Sequence, residues 1–170
     1  SDTHGNMDYV QTMLDVATDF DLVIHLGDNY QDAQPFIDAS IPLIRVPGTW
    51  TCEYQDPMID NRRFEEFFGW TFFLTHTPSV DPRDLVDDID PMLVIQDKRA
   101  DIVCHGHTHQ PMISQTNGIT ILNPGHLTAL MDRGSRASYA IAEVCMEKCQ
   151  IRIVDFVNGE VIQKAELFKK

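Results

Sequence analysis

Ile102-Val103-Cys104-His105-Gly106-His107-Thr108-His109 runs from a short apolar stretch into a glycine-hinged pair of imidazoles with one threonine between them. An extended run that stops in His-x-His carries two nitrogen ligands to one spot at the carboxyl end of a strand, where open α/β sheets bind ligands. Alone, such a pair is weak evidence, because many histidines serve as surface or core residues. Three other stretches repeat the pattern. Asp2-Thr3-His4 opens the sequence, Gly27-Asp28 follows Leu22-Val23-Ile24-His25-Leu26, and Thr75-His76 closes Phe72-Phe73-Leu74. Four separated segments thus place Asp or His where a strand ends or should have ended, and together they indicate a metal site.

Composition bounds the function classes. A chain of 170 residues, 43% hydrophobic and 23% charged, suits one globular domain spanning residues 1–170. Its formal charge of −13 repels phosphate backbones and anionic lipid, so neither nucleic acid nor membrane is expected as a partner. The apolar runs are far too short to span a bilayer and no signal-like segment is present, which makes the cytoplasm the default location. Cys52, Cys104, Cys145 and Cys149 match no disulfide or zinc-ribbon spacing and read as free thiols. Oligomeric state is left open, a homo-oligomer among the options.

Outward from the histidine pair, the elements alternate. Residues 6–20 carry Met7, Val10, Met13, Leu14 and Ala17 at helical spacing, with Asn6 as N-cap. Residues 21–26 predict a buried parallel strand, 35–40 a short helix and 41–46 another strand. Residues 64–67 and 70–75 around Gly69 predict a hairpin, and 82–99 a helix that Pro91 breaks or kinks. Beyond Pro111 only strands are predicted, at 112–114, 119–122, 138–144, 149–156 and 161–168, with hairpins at Asn117-Gly118 and Asn158-Gly159. An α/β half should pack on a second, largely antiparallel sheet. A ligand-bearing turn needs a rigid element behind it, yet none precedes Asp2, so an apolar first strand is expected to be missing from this chain.

Carboxylate and imidazole without thiolate suit divalent Mn, Fe, Zn or Ni. Asp2, His4, Asp28, His107, His109 and His76 exceed what one ion with open positions needs, so two ions are expected. A carboxylate bridging ions about 3.5–4 Å apart would hold a hydroxide between them, aimed at phosphorus.

The ordered set Asp2-x-His4, Gly27-Asp28, the turn at Gly48, His76 and Gly106-His107-Thr108-His109 resembles the motifs of the calcineurin-like metallophosphoesterase superfamily. Asn123-Pro124-Gly125 is similar to a turn of its small YfcE-type phosphodiesterase branch. The resemblance implies a four-layer α/β/β/α sandwich of two mixed sheets flanked by helices. It implies Asp2, His4, Asp28 and His109 around one ion and Asp28, His76 and His107 around a second, with Asp28 bridging. Manganese is the first choice of metal, and the substrate would be a small phosphoester cleaved as a phosphodiester or monoester.

The chain departs from the family at the third motif, where Gly-Asn followed by His or Cys and Asp becomes Gly48-Thr49-Trp50-Thr51. Thr49 is a poorer second-metal ligand than an amide oxygen, and Trp50 can protonate no leaving group. The expected leaving group is then one that departs unaided, such as an aryl oxide. His126 is the candidate substitute acid, set against a loop-stabilising role. Glu53 and Asp56 are weighed as replacement ligands and read as solvated. His25 and His105 read as core histidines, and Arg45 and Arg133 as candidate phosphate grips, a solvated arginine being commoner. The alternative function is a weakened or inactive scaffold of this fold that binds protein, as a retromer subunit of the same fold does, and a third reading is a single-ion protein.

Overall fold

A computed structural model describes residues 1–169. Its centre is a five-stranded sheet in the order β3-β4-β5-β7-β6, formed by β3 Arg62–Phe67, β4 Trp70–Thr75, β5 Ile102–Cys104, β6 Met112–Thr116 and β7 Ile119–Asn123. The middle strands β4, β5 and β7 run parallel, and an antiparallel hairpin partner lies at each edge. Alternation along these strands explains the layers, because consecutive side chains leave opposite faces. Phe72, Leu74, Ile102, Cys104 and Leu122 join one core, while Phe73, Val103, Ile119 and Ile121 join another with Val94 and Ile95. The latter two belong to α3, Pro91–Gln96, which covers that face.

The other face meets a second layer. There β10 Ser138–Val144, β11 Lys148–Asp155 and β12 Val161–Phe168 form an antiparallel sheet that contributes Cys149, Ile151 and Ile153 to the shared core. Beside it β1 Val23–His25 pairs in parallel with β2 Leu43–Arg45. Leu26 and Val46, just past those two strands, enter the same core. Each fully buried Leu, Ile or Phe contributes roughly 1.5–3 kcal/mol, so this interface between layers is the main store of stability. Outside β1 and β2, α1 Met7–Ala17 and α2 Gln34–Asp38 bury Val10, Ala17 and Phe36. The result is the four-layer α/β/β/α arrangement expected from the sequence.

The Asn6 side chain accepts the Tyr9 N–H, as its position ahead of α1 predicts. Both Asn-Gly hairpins form, between β6 and β7 and between β11 and β12. The stretch from 82 to 99 differs from expectation. Pro91 starts α3 instead of interrupting a longer helix, and Asp90 caps it by accepting the Met92 N–H. Upstream, Asp81, Asp84 and Asp88 take the N–H groups of Arg83, Asp81 and Leu85. Aspartates that satisfy nearby backbone in turns compete with helix, and here they win. A short hairpin, β8 Met131–Asp132 and β9 Ser135–Arg136, lies where no strand was expected. All four cysteines are free, and burial pushes Cys104 and Cys149 up to about 12 and about 11. No helix among the described residues is long and apolar enough to cross a membrane.

Candidate metal centre

Three strands end at one place. The segment after β1 delivers Asp28, the residue after β4 is His76, and the loop after β5 carries His107 and His109. Asp2 is held between the end of β1 and the segment after β7, its N–H donating to the Gly27 carbonyl at 2.5 Å and its carbonyl accepting from Leu127 N–H at 3.1 Å. Asp2, His4, His107 and His109 all adopt the left-handed backbone region, at φ of 54°, 48°, 66° and 61°. Asp and His tolerate that region better than most residues, yet each instance costs of order 1–3 kcal/mol that surrounding structure must offset. Gly106 is required for another reason: a Cβ there would collide with the Asp2 carboxylate. With only hydrogen present, the His107 N–H donates to Asp2 Oδ1 at 3.0 Å.

One ligand atom from each of Asp2, His4, Asp28 and His109 lies within 4.8 Å of all the others. His4 Nε2 is 2.7 Å from Asp28 Oδ2 and 3.1 Å from His109 Nε2, which stands 3.2 Å from Asp2 Oδ1. A second group adjoins it: Asp28 Oδ1 is 3.0 Å from His76 Nε2, itself 3.3 Å from His107 Nδ1. Asp28 therefore faces both groups. The structure brings together every residue assigned to a metal from the sequence except Thr49. That residue is buried, with its Oγ1 unpartnered, beside Gly48, whose N–H donates to the Asp28 carbonyl at 3.1 Å.

Donor chemistry tests whether these side chains fit a cation. His76 Nδ1 lies 2.7 Å from the Leu26 carbonyl, which can only accept, so Nδ1 carries a proton and Nε2 is the atom turned to Asp28; burial opposes a charged ring, but Asp28 and Asp2 raise its pKa. Asp28 Oδ1 is buried and has no partner but the His76 ring at 3.0 Å. The Nε2 atoms of His4 and His109 face each other, an arrangement in which both cannot donate. Lone pairs converging in a buried site are stabilised by a cation among them, and the residues fit one. The electrostatics agree. Burial opposes ionisation of Asp2 and Asp28, but His109 beside Asp2, and His4 and His76 beside Asp28, hold both carboxyls below the usual range.

Support for the ligands was only partly visible in the sequence. Asp132 on β8 meets His109 Nδ1 in a close contact, leaving Nε2 to the site. Asp32 accepts from Thr3 Oγ1 at 2.6 Å and from Gly5 N–H at 2.7 Å, bracketing His4. Asn123 spans the histidine loop, donating to Thr108 Oγ1 at 2.8 Å and to the Gly106 carbonyl at 3.1 Å. The Asp132-Arg133-Gly134 turn was the available signal for that hairpin, though nothing local says where it docks.

The other candidates spread outward. His126 is fully buried against the His109 ring, at a centroid distance of 5.5 Å, with Nε2 3.2 Å from the Ser135 carbonyl. His25 is a core histidine whose pKa burial lowers to about 3, and His105 turns Nδ1 toward the Gly106 carbonyl at 2.9 Å. Glu53 pairs with Gln31, and Asp56 caps Met58 in an exposed turn. Arg45 lies over the Tyr30 ring and bonds its carbonyl, while Arg133 donates to the His107 carbonyl at 3.0 Å.

The family model of the calcineurin-like phosphoesterase superfamily domain matches residues 1–147. Comparison with curated proteins finds no match. Among solved structures, a conserved uncharacterized protein of Streptococcus pneumoniae, described as a predicted phosphoesterase, superposes with a TM-score of 0.73 at 21% identity over 99% of this chain and 94% of its own. The E. coli phosphoesterase YfcE gives 0.70 at 19% identity over 96% and 94%. Wild-type Vps29 of Entamoeba histolytica, solved with zinc, gives 0.66 at 20% identity over 93% and 88%. At such identities the structural likeness concerns the fold, while the match over most of the sequence settles the family. The chain belongs to the calcineurin-like phosphoesterase superfamily.

Proposed function

We propose that residues 1–170 form one domain that acts as a metal-dependent phosphoric ester hydrolase on a small phosphoester. The observation that carries this reading is the shared carboxylate: Asp28 offers Oδ2 to the His4 side and Oδ1 to the His76 side, at 2.7 and 3.0 Å. On this reading Asp2, His4, Asp28 and His109 would hold one divalent ion, and Asp28, His76 and His107 would hold a second. Manganese leads the choice, with Zn, Fe and Ni compatible with the same donors. Bound ions supply Lewis acidity, which activates water near neutral pH and neutralises charge on phosphoryl oxygens.

The side chains fix that chemistry in space. Leu26 and Asp132 set the ring orientations of His76 and His109. The Gly106 hinge brings His107 over Asp2. His126, buried with Nε2 facing the Ser135 carbonyl, backs the His109 ring, and on this reading it steadies that ligand. With Thr49 and Trp50 at the third motif, no side chain there donates a proton, which favours esters whose leaving group departs unaided. Free thiols suit a cytoplasmic setting.

Bis-p-nitrophenyl phosphate with added manganese tests the reading. Turnover that falls to background in Asp28→Asn is the expected result. A protein-binding scaffold is the second reading, favoured by Trp50, Met58 and Val86 standing exposed on neighbouring loops. Absence of turnover together with less than one bound ion per chain would support the scaffold. Unchanged metal content in His76→Ala would reduce the centre to a single ion.

A further inference from the structure

The turn that takes Thr49 inward takes Trp50 outward. Thr51 donates both its N–H and its Oγ1–H to the Gly48 carbonyl, at 3.1 and 3.0 Å, closing a four-residue turn with Thr49 and Trp50 at its centre. Thr49 is 1% exposed and Trp50 74%. The start of this turn is seated on the metal centre, since a Cβ at Gly48 would lie 2.5 Å from the Asp28 Cα. An indole is thereby fixed at the rim, two residues along the chain from backbone touching the shared carboxylate.

Arg83 backs one face of that indole, its guanidinium carbon 3.6 Å from the ring centroid. The same side chain donates from Nη1 to the Thr49 carbonyl at 3.1 Å, so it is tied to the turn by stacking and by hydrogen bond together. Its own backbone is fixed too, because Gln55 donates to the Arg83 carbonyl at 2.6 Å. Next to it, Asp84 takes hydrogen bonds from Tyr54 Oη at 2.5 Å and from buried Arg62 at 2.8 Å. With Arg83 on one face and three quarters of the residue still exposed, the opposite face of the indole is open. A rigid open aromatic face with a cation behind it stacks well on planar π systems. Guanidinium donors not spent on Thr49 add positive charge beside a phosphate site in an otherwise acidic chain.

We propose that Trp50 and Arg83 form a stacking platform for a planar aromatic group of the substrate, which makes the substrate a phosphoester of a nucleoside or aryl alcohol. The proposal rests on the phosphoesterase reading of the adjacent centre. Trp50 is its specificity-determining residue, with Arg83 in the positioning role.

Tryptophan fluorescence isolates the platform, because the second indole, Trp70, is buried and donates to the Cys145 carbonyl. Titration of the metal-loaded protein with adenosine 5′-monophosphate is expected to quench emission saturably, whereas ribose 5-phosphate, which has the same phosphate and no base, is not. Calorimetry should show affinity for the nucleotide about tenfold weaker in Trp50→Ala and largely kept in Trp50→Phe. The preference for bis-p-nitrophenyl phosphate over the aliphatic diester glycerophosphocholine should fall about tenfold in Trp50→Ala, through KM. Equal response to both phosphates, or an unchanged preference, overturns the platform. Saturable nucleotide binding that depends on Trp50, without hydrolysis of any ester, upholds the platform and overturns the phosphoesterase reading.

Discussion

At the residue scale, Asp132 shows how a side chain outside any motif controls one inside it. Its contact with His109 Nδ1 fixes the ring and strengthens Nε2 as a donor, an effect worth about 10–100-fold in metal affinity at comparable sites. Asp132→Ala should weaken manganese binding by that order in a competition titration, with Asp132→Asn retaining part of it through its amide oxygen. Unchanged affinity in Asp132→Ala would remove the positioning role. His25 gives a pH prediction. Burial lowers its folded pKa from 6.5 to about 3, so between those values the unfolded chain binds a proton that the folded chain refuses. Its contribution is complete above pH 6.5 and is lost as pH falls toward 3, by about 2 kcal/mol at pH 5. Urea midpoints measured at pH 7 and pH 5 should therefore differ less in His25→Gln than in the parent; equal differences would place the titration elsewhere. Asp28, His76, His107 and His109 stand out in the sequence because each follows an apolar run, and Asp2-x-His4 because it matches their pattern. Asp132 does not, being one of 26 acidic residues, with its reach to His109 set entirely by tertiary packing.

At the scale of elements, strands deliver the candidate ligands and clasped loops frame them. Buried Arg62, the first residue of β3, donates to both Asp84 oxygens at 2.9 and 2.8 Å and to the Ile89 carbonyl at 2.9 Å. Asn61 adds Asp88 at 2.8 Å. These bonds tie residues 79–90 to the central sheet beside His76, where no regular structure would hold them. Removing one partner of a buried pair leaves an uncompensated charge and costs about 3–5 kcal/mol, the upper end applying to fuller burial than Asp84 has. Asp84→Ala should lose at least about 2 kcal/mol in urea unfolding and speed amide exchange across residues 79–90. Exchange unchanged in that segment would mean the clasp is redundant. Hairpins were legible wherever Asn-Gly, or Gly69 between apolar runs, fixed the turn chemistry. Apolar spacing predicts a helix over 82–99 because it ignores the aspartates that cap turns there, and β8 and β9 are too short to leave a periodic pattern.

The whole molecule sets the carboxylates of the candidate metal centre inside a chain of formal charge −13. Two sheets packed face to face give rigid strand ends, and the ligand turns gather at one edge of that sandwich. Arg83 and Arg133, tied to the Thr49 and His107 carbonyls, add positive charge beside the candidate centre. On the proposed reading, distant turns build a cradle for two cations around Asp28. Anomalous-scattering maps from crystals grown with manganese would show whether they do. Two peaks sharing Asp28 as a ligand, one beside Asp2, His4 and His109 and the other beside His76 and His107, are expected; no peak at Asp28, or a single peak unaffected by His76→Ala, would contradict it.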